Sequence, residues 1–467
     1  MGDAAVLDPD RVVEAAADLR SVLPSARRMF AENPAGCRMV IVFALLGLVQ
    51  ALREGNPGER EAALREIGAA TSGYEEDEVL RGVPGEMRPY RLRSQRRLAT
   101  LLRDGGDLDG ALEAATAARD EALLIEPGRH GLGLDEEAAV SEGLLISVLE
   151  RAGRTEETLE AGERLVRYEE VLTARDPGQG ELGNACLDHG LRLLSAGRTE
   201  EGAGHLRRAV EAYRVQTGDE VRFNLALAAD RLGVTLARGG EPEEGLAFMR
   251  EAVAAQRAME SPGPDEIEAL AWSLRNMAVC LGGLDRDDDA VESGRESLEQ
   301  FRRLAGLDPR WFDEVVSGER LQAEFLAAAG RLEEALELGE RSIAEEGERL
   351  AKDPGRSRMS LAESRIRQGL RLERLGRPDE GHLSGAMEIY RQAVAAGPGD
   401  GLYDDLVRTA GRQAVSLEGV ADRYRGRPEY GERLVEVLEV LERAHVLDGN
   451  EEDAARVRAE RLSSAQA

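Results

Sequence analysis

One short phrase, repeated at nearly constant spacing, constrains this chain more than any other feature. It reads GDLDGA from Gly106, GRTEET from Gly153, GRTEEG from Gly197 and GEPEEG from Gly240. It continues as DRDDDA from Asp285, GRLEEA from Gly330, GRPDEG from Gly376 and GRPEYG from Gly426. Successive starts lie 47, 44, 43, 45, 45, 46 and 50 residues apart. A period in this range is the signature of stacked supersecondary units, not of one closed core. Each part of the phrase has a physical meaning. Glycine ends a helix where the backbone turns left-handed. Acidic residues then fall in the first turn of the next helix, where its dipole favours them. A small residue follows and lets the two helices approach.

A second set of breaks lies midway between the first. These are EPGR at Glu126, RDPG at Arg175, QTGD at Gln216, SPGPD at Ser261, LDP at Leu307, KDPG at Lys352 and GPGD at Gly397. Proline with glycine stops helices. Two interleaved markers with one period predict helix A, tight turn, helix B, looser linker, and then helix A again. Composition agrees. Alanine, leucine, glutamate and arginine dominate, aromatic residues are only 4% of the chain, and no segment reads as a strand.

At this point the sequence resembles the tetratricopeptide repeat family. That family places a small residue seven positions before the turn glycine and a large apolar one four before it. Small residues recur five and twelve positions after the glycine, with a bulky one between. The unit at Gly197 has Gly190, Leu193, Gly202, Leu206 and Ala209 in these places, and the unit at Gly240 has Gly233, Leu236, Gly245, Met249 and Ala252. Ala278, Leu281, Ala290 and Ser297 follow around Asp285, then Ala323, Leu326, Ala335 and Ser342 around Gly330. The unit at Gly376 fits once Gly381 to Gly385 are read as an insertion, which brings Ala386, Tyr390 and Ala393 into register. The unit at Gly153 departs, with Ile146 and Thr158 where small residues are expected. The period of about 45 residues is similar to the longer-unit branch found in kinesin light chains and in sensor regions of bacterial signalling NTPases. The resemblance implies an all-α, right-handed superhelical solenoid of antiparallel helix–turn–helix repeats. The expected organisation is a divergent N-terminal helical segment or first repeat over 1–85, about eight repeats over 86–445, and a capping helix over 446–467.

Charge and composition bound the partners. Ninety acidic residues against 61 basic ones give a net charge of −29. Such a chain is repelled by a phosphate backbone and by an anionic bilayer, so neither nucleic acid nor membrane is expected as a partner. Of the basic residues only Lys352 is lysine, a bias that reads as codon usage in a GC-rich, bacterial genome. Cys37, Cys186 and Cys280 are odd in number and form no CxxC, the pattern of reduced, buried thiols in a cytoplasmic protein. The N-terminus has no basic stretch ahead of an apolar run and is not expected to be a signal peptide. The longest apolar run, Met39 to Val49, would rise about 16 Å as a helix against about 30 Å of hydrocarbon. It reads as a buried helix or as the face of a homodimer.

The motifs of the common enzyme classes are missing: no P-loop, GxGxxG after a strand, GxSxG or HExxH occurs. The histidines are His130, His189, His205, His382 and His445, and none has a second His or Cys one helical turn away, so no helix-borne metal pair is expected. The DRDDDA stretch lacks the glycine of a calcium loop and has Ser297 in place of the bidentate glutamate. No metal, cofactor or catalytic residue is assigned.

The resemblance implies a groove lined by positions thirteen, ten, six and three before the turn glycine. In the first clear unit these are Arg93, Arg96, Thr100 and Arg103, on a basic stretch, RPYRLRSQRR. Guanidinium forks there would either pair with neighbouring acids or hold a partner's carboxylate. Later units add Asn184 and Leu187, Leu227 and Asp230, Trp272 and Arg275, and Ser317 and Arg320. Trp272 would serve as a binding anchor or seal two units. The leading expectation is a binding scaffold or adaptor for a protein or peptide, not an enzyme. The alternatives are a ligand-responsive sensor acting on a separate effector chain, and an enzyme with its site in the groove.

Overall fold

The computed structural model describes residues 9–51, 57–71, 88–124, 132–176, 181–352, 358–377, 381–427 and 430–465. Twenty α-helices and one short 3-10 turn occupy them, and no strand occurs among the described residues. The chain divides into two units, Met1–Leu232 and Gly233–Ala467. The first holds α1 (Pro9–Glu32), α2 (Pro34–Ala51), α3 (Pro57–Thr71), α4 (Arg88–Asp104), α5 (Leu108–Leu123), α6 (Leu132–Arg151), α7 (Thr155–Arg175), α8 (Leu182–Ser195) and α9 (Thr199–Arg214). The boundary falls inside α10 (Asp219–Arg238). The second holds α11 (Pro242–Arg257), α12 (Pro264–Gly283), α13 (Asp287–Leu307), α14 (Phe312–Ala328), α15 (Leu332–Lys352), α16 (Met359–Arg374), α17 (His382–Ala396), α18 (Gly401–Tyr424), α19 (Gly431–Leu447) and α20 (Glu451–Ser464).

Each phrase of the sequence repeat is a tight turn between two helices. Gly106, Gly153, Gly197, Gly240, Gly330, Gly376 and Gly426 all have φ between 68° and 94°. Asp285 is the informative case. It stands where the register requires glycine, and it is the sole non-glycine with positive φ among the described residues, at 56°. Asparagine and aspartate tolerate this region better than other side-chain-bearing residues. All of these turns except the one at Gly426 share one hydrogen-bond pattern. The amide after the turn residue donates back to a leucine carbonyl: Arg154 to Leu149 and Arg198 to Leu193, both at 2.9 Å, Glu241 to Leu236 at 2.9 Å, Arg286 to Leu281 at 3.0 Å and Arg331 to Leu326 at 2.8 Å. This six-to-one bond closes the last turn of helix A. The same leucines are the large apolar residues four before the glycine, so one side chain both fills the core and marks the helix end.

Helix B then opens on acids, for example Glu200 and Glu201, Glu243 and Glu244, or Asp287, Asp288 and Asp289. The small residues do what the register predicts. A Cβ built on Gly190 would lie 3.1 Å from the carbonyl oxygen of Gly202, and one on Gly233 2.7 Å from that of Gly245. Ala278, Ala290, Ala323 and Ala335 are fully buried. In the unit with the insertion, Ala386, Tyr390 and Ala393 are fully buried as expected, and α17 begins within the five extra residues. In the departing unit Ile146 and Thr158 are buried in spite of their size. The fold is therefore an all-α, TPR-like array in which tight turns pack α4 on α5, α6 on α7, α8 on α9, α12 on α13, α14 on α15 and α16 on α17.

The Met39 run lies in α2, which packs on α1 and α3. Ile41, Val42, Leu45, Leu48 and Val49 are buried there with Leu23, Ala26, Leu64 and Ile67. Among the described residues no helix is long and apolar enough to cross a membrane. At the far end α20 packs on α19 and buries Ala454 and Val457. The break at Glu126 and His130 lie outside the described residues.

Candidate functional site

The groove positions read from the sequence fall into one geometric pattern. Residues thirteen or ten before a turn bond to a residue sixteen before the next turn, on the following helix A. Arg93 and Arg96 of α4 both pair with Glu137 of α6, at 2.7 and 2.8 Å. Asn184 of α8 accepts a hydrogen bond from Asn224 of α10 at 3.1 Å, and a second from the hydroxyl of Tyr213. Arg275 of α12 pairs with Glu314 of α14 at 2.6 Å and donates to its backbone carbonyl at 2.9 Å. Arg320 of α14 donates to Ser360 Oγ of α16 at 3.2 Å and pairs with Glu363 at 3.0 Å. Arg103, three before its turn, donates to Ser147 Oγ of α6 at 3.2 Å and pairs with its neighbour Asp104.

These side chains therefore tie successive A helices together. At α4 the carboxylate that a partner could supply to the arginines is already supplied by Glu137. Burial pulls Arg97 below the ordinary guanidinium range, and the adjacent Arg96 and Arg93 add to this against Glu137. Of the remaining positions, Thr100, Leu227, Trp272 and Ser317 are half-buried. Leu187 and Asp230 are buried. Trp272 packs against Ile267, Phe301, Phe312 and Val316, meeting Phe301 edge to face with ring centroids 5.3 Å apart. The Arg275 guanidinium covers it, 4.7 Å from the ring centroid.

Two of the predicted positions line an open cleft in the second unit. Ser317 and Arg320 of α14, Glu346 and Arg349 of α15, Ser360 of α16, and Asp405, Arg408 and Arg412 of α18 surround a space of about 590 Å³. Its two sides differ. Arg320 is largely buried between Ser360 and Glu363, and Arg349 lies on the face of Phe312. Arg408 and Arg412 are 71% and 54% exposed, the first paired with Asp405 within its own helix and the second 3.4 Å from Glu363. An exposed pair contributes about 0–1 kcal/mol. Arg408 can therefore turn to a ligand's carboxylate at little cost, and the buried Glu363 keeps Arg320 and Arg367 when Arg412 turns away.

Among the described residues no helix carries two histidines. The structure nonetheless brings His189 of α8 and His205 of α9 together, with ring centroids 4.6 Å apart. The signal was present in the register. Each lies eight residues from Gly197, one before and one after, and a tight turn folds such positions onto each other. Burial pushes the His189 imidazole down to about 4, with the His205 ring and the Arg192 and Arg198 charges adding to it. Burial also lowers His205, against the pull of Glu163.

The turn geometry, the small-residue contacts and the ladder between A helices define the class: a TPR-like helical repeat protein. Comparison with known proteins adds the following. No protein-family model matches the sequence, and no curated protein matches it. Among solved structures, the apo form of RapI is 14% identical and aligns over 88% of this chain and 99% of its own, with a TM-score of 0.48. Kinesin light chain TPR-like repeats from Podosopora anserina are 18% identical over 47% of this chain and 97% of theirs, with a TM-score of 0.35. A Pyrococcus horikoshii signal-transduction ATPase with a tetratricopeptide repeat sensor is 14% identical over 74% of this chain and 52% of its own, with a TM-score of 0.40.

Proposed function

We propose that this chain is a binding scaffold for a protein or peptide, and that the cleft between α14, α15, α16 and α18 takes an extended segment carrying at least one carboxylate. One observation carries the reading: two groove positions expected from the repeat register, Ser317 and Arg320, line an open cleft to which two further arginines, Arg408 and Arg412, present exposed guanidinium groups. Arginine forks suit carboxylates because two parallel N–H bonds fix geometry as well as charge. The cleft also holds Asp313, Glu314, Glu346 and Asp405, so a polyanion would be repelled and a peptide of mixed charge is the better fit. The role is recognition, with no reaction assigned to it. Trp272 and Arg275 support the cleft's first helix from the core side instead of offering a free aromatic anchor.

The test is affinity capture from a lysate of the source organism, with the wild-type chain and the Arg408→Glu/Arg412→Glu double variant as parallel baits. Both substituted positions are exposed, so the variant should fold normally by circular dichroism. The expected result is a dominant protein retained by the wild type and lost from the variant. The same captured set on both baits would remove the cleft from the binding function.

A further inference from the structure

We propose that Glu163, His189 and His205 form a three-ligand site for one divalent metal ion of the zinc class, with its remaining coordination position open to the cleft beside them. The ligand atoms come from three consecutive helices, α7, α8 and α9. The Nε2 of His189 lies 3.5 Å from the carboxylate of Glu163, and the Nε2 of His205 lies 3.3 Å from the same oxygen. All three ligand atoms fall within 4.8 Å of one another. Zinc binds imidazole nitrogen and carboxylate oxygen at about 2.0–2.2 Å in a tetrahedron, which places neighbouring ligand atoms about 3.4 Å apart. Two edges of the triangle already have that length, and the third closes by a small side-chain rotation. The separations are too long for good hydrogen bonds to the carboxylate, and no such bond forms.

A second observation sets this position apart from two of its equivalents. His189 stands eight residues before its turn residue, facing a glycine nine after the previous one. Gln322 and Gln368 stand at the same register position in the second unit, facing Gly294 and Gly339. Each glutamine amide acts as a strut, donating to a carbonyl of the neighbouring helix, Val291 at 2.9 Å and Leu336 at 3.0 Å. His189 makes no such bond. Its side chain is 3% exposed and its Nδ1 has no hydrogen-bond partner. Gly162 leaves the space for the ring, since a Cβ there would fall on Nδ1. A residue that surrenders the strut's hydrogen bond and turns its other nitrogen toward a carboxylate and a second imidazole is placed as a ligand.

The cleft, about 400 Å³, is also lined by Glu160, Glu201, Arg164, Arg167 and Arg198. Arg164 is neutralised by Glu142 at 2.8 Å and Arg198 by Glu201 at 2.6 Å, while the exposed Arg167 lies 4.0 Å from the other oxygen of Glu163 and leaves the oxygen that faces the imidazoles free for a cation. The carboxylate of Glu163 is 44% exposed and open to solvent on the cleft side. Neutral imidazoles offer the lone pairs that a metal needs. Two imidazoles and one carboxylate with an open position is a ligand set that retains water or an exchangeable ligand.

The experiment uses the full chain without a histidine tag, stripped by chelator and titrated with Co²⁺ in visible spectroscopy, followed by Zn²⁺ competition. The expected result is one equivalent of Co²⁺ with the intense bands of tetrahedral coordination, displaced by Zn²⁺. Glu163→Gln and His189→Gln should each weaken binding by more than about 100-fold, beyond what loss of an outer-shell partner costs. His189→Gln places the residue that two other repeats carry at this position, Gln322 and Gln368, so it should fold by circular dichroism. His382→Gln, at a histidine of the second unit, should leave binding unchanged. The proposal is overturned by a wild-type chain that takes up no Co²⁺, or by equal uptake in wild type and His189→Gln.

Discussion

The substitution Gly233→Ala tests whether the helix approach described above is as close as the backbone indicates. Gly233 lies in α10 and faces Gly245 of α11. A Cβ at 233 would sit 2.7 Å from the carbonyl oxygen of Gly245, 2.8 Å from Cγ of Met249 and 3.2 Å from the amide nitrogen of Met249. Methionine can swing aside, but the other two neighbours are backbone. The helices must therefore part by several tenths of an ångström. Overpacking of this kind costs about 1–3 kcal/mol. Alanine's better helix propensity offsets about 1 kcal/mol of that. The net expectation is a loss of about 0–2 kcal/mol. Gly204 in α9 supplies the internal control. It is exposed and a Cβ there meets nothing within 4 Å, so Gly204→Ala should gain up to about 1 kcal/mol from propensity alone. One chemical change thus has opposite signs at two sites. Urea denaturation followed by far-UV circular dichroism reads both, with matched slopes required before midpoints are compared. A Gly233→Ala midpoint raised as much as that of Gly204→Ala would refute the close approach and with it the small-residue argument.

Three further outcomes follow from buried groups. Glu142 is fully buried and paired only with Arg164. Arg164→Ala should cost about 3 kcal/mol at pH 7 by stranding the charge. Burial already raises this carboxyl's pKa, so the folded variant holds the proton more tightly than the unfolded chain. The deficit should shrink as pH falls from 7 toward 5, and a deficit that grows would contradict the assignment. Cys186 is fully buried and its thiol is pushed up to about 11 by burial. It should resist a thiol-specific chromogenic reagent at pH 8 until the chain is denatured, and rapid reaction in the native state would show that α8 opens. Gln368 donates to Glu340 at 2.8 Å, and His382 pairs with the same carboxylate at 3.0 Å. Gln368→His should therefore raise the Co²⁺ stoichiometry from one to two, and a value that stays at one would show that the register equivalence does not extend to ligand geometry.

The turns were legible from the sequence because glycine and acidic residues act locally, within six positions of each other. Even Asp285 was placed correctly, since its neighbours kept the register. The core was legible for the same reason, as the expected burial of Tyr390 and Ala393 after a five-residue insertion illustrates. The roles of the arginines were not. Arg93 and Glu137 are 44 residues apart, and a search along single helices cannot see such a pair. The same limit hid His189 and His205, whose meeting depends on the turn between them. The period relates the first pair, and the turn at Gly197 relates the second. Folding the sequence on its repeat length and at its turns, instead of scanning it linearly, puts each residue beside its partner.

The ladder between A helices has a consequence for how such a chain can change length. The arginine donors sit ten or thirteen residues before a turn and their acceptors sixteen before the next, so these rungs have a direction, like the tongue and groove of a floorboard, and only the Asn184–Asn224 rung among those described runs the other way. Every complete unit that carries both halves can join any other of its kind. Duplicating or deleting a whole unit leaves each guanidinium facing an acceptor, whereas losing half a unit strands one in a half-buried seam. The array is thus built to grow and shrink in steps of one period, and an internal truncation that ignores the step should fail at the seam before it fails in the core.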